Sequence, residues 1–292
     1  MLDGRPIRLR FAPSPNGYLH LGHAYSALVN ARIAMQLCGQ FILRMENIDV
    51  TRCKTEFERA IIEDLSWLGL TFDKPIRRQI EHFADYQQAL DELKKLGLVY
   101  PAFMSRGEVR EKIKMANLGG KKWLLDPDGT PLYPTDERSL PVEKVRQLIG
   151  EGKPYSWRLN MDLALQRHGD NLYWQEFNGD STYKVMAHPE LWGDVVVARK
   201  EIPTSYHLAV VVDDHWQGIS HIVRGKDLYQ ATSVHCLLQK IFGFNTPLYY
   251  HHPLILGEDG HKLSKTDNDT SLRSLRRQGL TFDKVVASLP KF

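Results

Sequence analysis

Cysteine is scarce: Cys38, Cys53 and Cys236 are the only three in 292 residues, odd in number, far apart and without a C-x-x-C pair. That pattern argues against a disulfide scaffold and against a cysteine-rich zinc site. No apolar run approaches the roughly 18 residues that a membrane helix needs, and Met1-Leu2-Asp3-Gly4-Arg5-Pro6 lacks the apolar stretch of a signal peptide. The expectation is a cytoplasmic protein with no membrane partner. Internal repeats and low-complexity tracts are absent too, which argues against solenoids and disordered tails. Nor does one sign of charge dominate, since 38 Lys and Arg face 35 Asp and Glu. What is present is ordinary globular material, 42% hydrophobic and 25% charged, long enough at roughly 150 residues per domain for about two domains.

The charge is uneven in one place. Lys262 to Phe292 holds seven Lys and Arg against three Asp, while the preceding residues carry 31 against 32. Arg273, Arg276 and Arg277 are therefore a candidate polyanion contact, although a solvated helix face has the same composition.

Ile7 to Phe11 alternates as a strand, Pro13, Pro15 and Gly17 break it, and a helical pattern runs from Gly22 towards Cys38. Phe41 to Met45 reads as a second strand, so the chain opens as a β–α–β unit with a parallel, Rossmann-like sheet. Helices are expected at Thr55 to Leu68 and Phe83 to Leu96. Turn-rich sequence follows Leu98, with a short helix at Val142 to Gly150, and reads as an insertion. Ser156 to Met161 and Gly193 to Ala198 are candidate strands. Tyr206 to Val212 is almost wholly apolar, as a strand buried on both faces would be. Helices are expected near Leu228 to Phe242 and Leu272 to Gln278. The predicted organisation is α/β: a split Rossmann-like catalytic domain at 1–97 and 154–243, an insertion at 98–153, and a small, mainly helical C-terminal region at 244–292.

Two motifs carry chemistry. In Pro13-Ser14-Pro15-Asn16-Gly17-Tyr18-Leu19-His20-Leu21-Gly22-His23, two histidines flank a glycine where a loop enters a helix. Helix N-termini attract phosphate, glycine permits its close approach, and imidazoles add donors, though a capped helix with an incidental histidine is the plainer reading. Near the other end, Gly260-His261-Lys262-Leu263-Ser264-Lys265-Thr266 places two lysines in a glycine-flanked loop that is either a triphosphate clamp or an exposed turn.

Together, His20-Leu21-Gly22-His23 and Lys262-Leu263-Ser264-Lys265 resemble the HIGH and KMSKS signatures of class I aminoacyl-tRNA synthetases. Arg10-Phe11-Ala12-Pro13-Ser14-Pro15, Leu43 to Asp49, Tyr206 to Asp214 and Ile222 to Gly225 are similar to the glutamyl and glutaminyl branch, and the likeness covers most of the chain outside the insertion. The resemblance implies ATP and Mg2+, with His20, His23 and Lys265 catalytic and His20, Gly22, His23, Lys262, Ser264 and Lys265 binding ATP. It also implies a glutamate pocket of Arg10, Ala12, Ser14, Glu46, Tyr206 and Arg224. The chemistry agrees: Arg10 and Arg224 can each hold a carboxylate through two hydrogen bonds, and Glu46 can pair with the ammonium. Only 27 residues follow Lys265, too few for the anticodon-binding region of a complete glutamyl-tRNA synthetase. The implied relatives are the truncated glutamyl-queuosine tRNA(Asp) synthetases, which transfer glutamate to queuosine in the tRNA(Asp) anticodon, and the partners are then that tRNA and glutamate, with a monomer expected. Charging of a tRNA(Glu) 3′ end, or non-catalytic binding of tRNA or adenylate, are the alternatives. Many relatives hold zinc in the insertion through a Cys-x-Cys pair, a Tyr and a further Cys; those positions fall on Ala102, Met104, Tyr133 and Glu137, so no structural zinc and no other metal ligand set is expected. Asn16 and Asn47 are smaller departures, where Thr or Ser and Asp are usual.

Overall fold

The computed structural model describes residues 4–120, 122–179, 181–255 and 271–290. Ten strands are β1 (Arg8–Phe11), β2 (Gln40–Met45), β3 (Asp73–Arg78), β4 (Val99–Ala102), β5 (Ser156–Leu159), β6 (Tyr173–Asn178), β7 (Ser181–Met186), β8 (Val196–Arg199), β9 (His221–Gly225) and β10 (Leu248–His252). The helices are α1 (Leu21–Gln36), α2 (Thr55–Trp67), α3 (Phe83–Lys95), α4 (Arg106–Leu118), α5 (Val142–Gly150), α6 (Met161–His168), α7 (Tyr206–Trp216), α8 (Thr232–Ile241), α9 (Leu272–Arg277) and α10 (Phe282–Ser288).

The β1–α1–β2 opening is present, with β1 parallel to β2 in the register Arg8 to Gln40 through Phe11 to Leu43. β3 extends this sheet in parallel, and a second sheet has the order β7-β6-β10-β9, parallel except at β7. The two sheets meet where Ser220 N–H donates to Arg8 O at 3.0 Å and Arg8 N–H donates to Ser220 Oγ at 2.8 Å. Because β10 lies between β6 and β9, the sheet takes in residues beyond 244. A separate antiparallel sheet, β4-β5-β8, carries the chain into and out of the turn-rich segment.

Tyr206 to Val212 is helix, not strand. It forms the start of α7, in which Leu208 through Asp214 are buried on every side. A continuous apolar run has no period to separate the two states, and the helix continues through a polar second half that a strand reading ignores.

Among the described residues two large apolar cores result, beside a small cluster of Tyr100, Ala102 and Tyr133. One packs α3, α7 and α8 with β6 and β10, and the other packs α1 and α2 with β1 and β2. Leu272 and Val285, both fully buried, bring α9 and α10 into the second core. Arg10, Arg44 and Arg224 thereby stand near the carboxyl ends of β1, β2 and β9, the edge at which open α/β sheets bind ligands.

Candidate active site

The two histidines of the first motif begin as helix caps. His20 is the N-cap of α1, and its Nδ1 accepts the Gly22 N–H at 3.1 Å; His23 Nδ1 accepts the His20 N–H at 3.3 Å. This reciprocal box settles both tautomers, because a ring nitrogen that accepts from a backbone N–H is unprotonated and the proton sits on Nε2. Each imidazole is thus an Nε2–H donor at the positive end of a 16-residue helix. Space at Gly22 is tight: a Cβ there would stand 3.0 Å from His20 Cε1, so the ring would have to give by a few tenths of an ångström.

These residues line a cavity of about 350 Å³ together with Arg10, Ala12, Ser14, Glu46, Tyr206 and Arg224, so the six expected glutamate-binding residues meet at one cavity. Arg10 is 5% exposed; its Nε donates to Asp214 at 2.9 Å, and its two terminal nitrogens have no hydrogen-bond partner among the described residues. It keeps a two-pronged fork for a carboxylate. Arg224 does not. Its Nε donates to His251, one terminal nitrogen to His235, and the other to Leu228 O and Thr232 Oγ1, at 3.1, 3.2, 3.1 and 2.6 Å. A guanidinium has five N–H bonds, so one remains, and the expected paired grip by Arg224 is corrected to a single contact.

Arg44, which the sequence reading passed over, organises the acidic side. Fully buried, it donates to Asp214 at 2.7 Å and Glu46 at 3.2 Å, with Asp213 at 3.8 Å. Burial would raise the Asp214 carboxyl, but Arg10 and Arg44 outweigh it and hold it below the ordinary range. Burial prevails at Glu46 and pushes its pKa up despite Arg44 and Arg10. A further cation beside Glu46 would stabilise its charge. Asp213 accepts from Arg77 Nε and Tyr86 Oη at 2.7 and 2.8 Å, which ties the site to β3 and α3.

Ser14, Glu46 and Tyr206 also line a second cavity of about 780 Å³ that reaches His207, Arg158 and residues of the turn-rich segment such as Arg106, Arg110 and Tyr133. Beside it lie Ala102, Met104, Tyr133 and Glu137, the positions that the family resemblance marks for a zinc site. Here Tyr133 Oη donates to Glu137 Oε2, which also accepts the Phe103 and Met104 N–H groups at 2.9 and 3.3 Å. The Glu137 carboxylate is committed to those donors, Ala102 and Met104 bring no thiolate, and Arg158 sits 3.7 Å over the Tyr133 ring. The residues do not fit zinc.

Lys262, Ser264 and Lys265 lie outside the described residues. The chain on either side of them reaches the smaller cavity: Leu254 and Ile255 line it, and Ser271 bridges to His20 while Leu272 N–H donates to Leu19 O at 2.7 Å. Two members of the basic cluster have partners: Arg273 donates to Tyr18 Oη at 2.9 Å, and Arg276 lies 3.7 Å from Asp64. No helix among the described residues is long and apolar enough to cross a membrane.

Residues 6–288 match the catalytic domain of class I tRNA synthetases (E and Q). A glutamyl-Q tRNA(Asp) synthetase of Rhodobacter capsulatus is 39% identical over 277 residues, covering 92% of this chain and 95% of that protein. A glutamate–tRNA ligase of Aquifex aeolicus is 34% identical over 273 residues, but the chain spans only 54% of it. Among solved structures, a glutamate tRNA ligase from Elizabethkingia meningosepticum, in complex with its amino acid, superposes with a TM-score of 0.71 at 28% identity, covering 94% of this chain and 53% of that one. The chain belongs to the class I tRNA synthetases of the E and Q type, a family of ligases.

Proposed function

We propose that this chain activates glutamate with ATP, as glutamyl-adenylate, and transfers it to queuosine in the anticodon of tRNA(Asp). The observation that carries the first half is the fork of Arg10 facing a cavity shared with Glu46 and the two capped histidines. A dicarboxylic amino acid needs cationic donors for its carboxylates and one anion for its ammonium, and Arg10, Arg224 and Glu46 supply them. The second half is supported by likeness, because the glutamyl-Q tRNA(Asp) synthetase of Rhodobacter capsulatus is 39% identical to this chain and the glutamate–tRNA ligase of Aquifex aeolicus 34%.

In the first step the glutamate α-carboxylate attacks the α-phosphorus of ATP and pyrophosphate leaves. His20 and His23 donate from Nε2 to the phosphate oxygens beside the α1 N-terminus, and Lys265 adds a cation. Mg2+ accompanies the ATP phosphates and offsets their charge. In the second step an acceptor hydroxyl in the larger cavity attacks the activated carbonyl and AMP leaves. Ser14, Glu46 and Tyr206, on the wall common to both cavities, stand where the acyl group passes from one to the other.

The test is transfer of labelled glutamate, with ATP and Mg2+, to tRNA(Asp) with and without queuosine, with tRNA(Glu) as the control. Labelling that requires queuosine is expected. Labelling of tRNA(Glu) alone would replace the proposal with 3′-end charging, and no glutamate-dependent pyrophosphate exchange would leave a binding protein.

A further inference from the structure

Behind Arg224 lies a buried chain of polar side chains to which the activation chemistry assigns no role. Glu176, 4% exposed on β6, accepts the Trp174 Nε1–H on one carboxylate oxygen at 2.9 Å and the His251 backbone N–H on the other at 2.7 Å. The Arg224 Nε–H can only donate to His251 Nε2, so the ring proton sits on Nδ1 and is given to the Glu176 oxygens, each 3.0 Å away. The proton on Nδ1 leaves a lone pair on Nε2, into which the Arg224 Nε–H points at 3.1 Å. On its other side Arg224 donates to His235 Nδ1 at 3.2 Å, which puts the His235 proton on Nε2, facing His207 Nδ1 at 3.2 Å. His207 is then protonated on Nε2, and its ring lines the larger cavity. A guanidinium only donates, so every bond in the series has one possible direction.

We propose that Glu176, His251 and His235 are positioning residues that hold Arg224 in one orientation, with a single N–H left for the substrate, and present His207 to the larger cavity as an N–H donor. The proposal rests on the reading that the smaller cavity takes glutamate. Charge supports it: Glu176 and Arg224 are both buried, and the neutral His251 ring relays the pair between them. Burial lowers the pKa of His207 to about 4 and that of His235 well below its ordinary value, so both rings are neutral near pH 7, as the series requires.

Two measurements on the full chain test this. In glutamate-dependent pyrophosphate exchange, Glu176→Gln sets an amide N–H against a permanent donor and reverses the polarity at His251. KM for glutamate is expected to rise about 10- to 100-fold, with kcat and KM for ATP changing far less. His251→Leu should behave alike, whereas His251→Gln, whose amide can donate to Glu176 and accept from Arg224, should stay within about threefold of the parent. An unchanged glutamate KM in E176Q, or a loss in H251Q equal to that in H251L and shared by kcat and both KM values, overturns the proposal and leaves a merely structural cluster. Imidazole nitrogen NMR reads the series without turnover: protons on Nδ1 of His251 and Nε2 of His235 and His207 are expected, and any other pattern refutes it. If the parent shows no exchange, the glutamate reading fails while the tautomer measurement still decides the network.

Discussion

Asp64, on α2, is fully buried, and neither of its carboxylate oxygens has a hydrogen-bond partner among the described residues. The nearest cation, Arg276 on α9, is 3.7 Å away and shared with Glu63. Burial outweighs that attraction and pushes the carboxyl from 3.8 up to about 6. At about 1.4 kcal/mol per pH unit, the shift corresponds to roughly 3 kcal/mol. The sign follows from proton counts. Between the unfolded and folded values the native state binds the extra proton, so its stabilising effect is complete below pH 4 and is lost as pH rises through 6. Asp64→Asn removes the titration while keeping the shape. Equilibrium urea unfolding of both proteins from pH 4 to pH 8 should show the variant gaining on the parent by about 3 kcal/mol over that range, worth roughly 5 °C in Tm for a chain of this size. Other titrating groups are common to both and cancel. A difference between the two that does not vary with pH would refute the reasoning.

Arg10→Lys keeps the charge but loses the fork and the contact to Asp214; KM for glutamate should rise at least about tenfold in pyrophosphate exchange with KM for ATP unchanged, and an unaltered glutamate KM would count against the pocket. Gly22→Ala pushes a methyl against the His20 ring, so exchange should slow on the order of tenfold while the melting temperature holds, since alanine favours helix. Tyr133→Phe deletes the hydroxyl between Glu137 and Met104 and should cost about 1–2 kcal/mol in urea unfolding. Neither that variant nor the parent should change Tm on adding a chelator or Zn2+; a metal-dependent shift would reinstate the zinc site.

The parts of the fold with a clear period were legible. The short helix expected at Val142 to Gly150 is α5 with those bounds, and the strand expected at Phe41 to Met45 lies within β2. α7 was illegible as helix because its first half is apolar all round, and α4, with no buried residue, lacks the stripe that would announce it. The histidine motif was legible as a loop entering a helix, and the reciprocal caps explain why those two side chains stand three residues apart. The polar series behind Arg224 was not, since Glu176, His207, His235 and His251 sit on four different elements and only the packing of β6, α7, α8 and β10 joins them. Arg44 had no signal either, as Glu46 is its neighbour in sequence while Asp213 and Asp214 lie about 170 residues further along.

The contact between Leu19 and Leu272 has a consequence for biosynthesis. Residues near the two ends of the chain close the same site, and the core beneath α1 is completed by Leu272, Val285 and Leu289. A ribosome making this protein exposes the histidine motif long before Leu272, so the nascent chain holds open apolar surface beneath α1 until that later segment emerges. A stop codon before Leu272 would therefore remove the floor of this cleft.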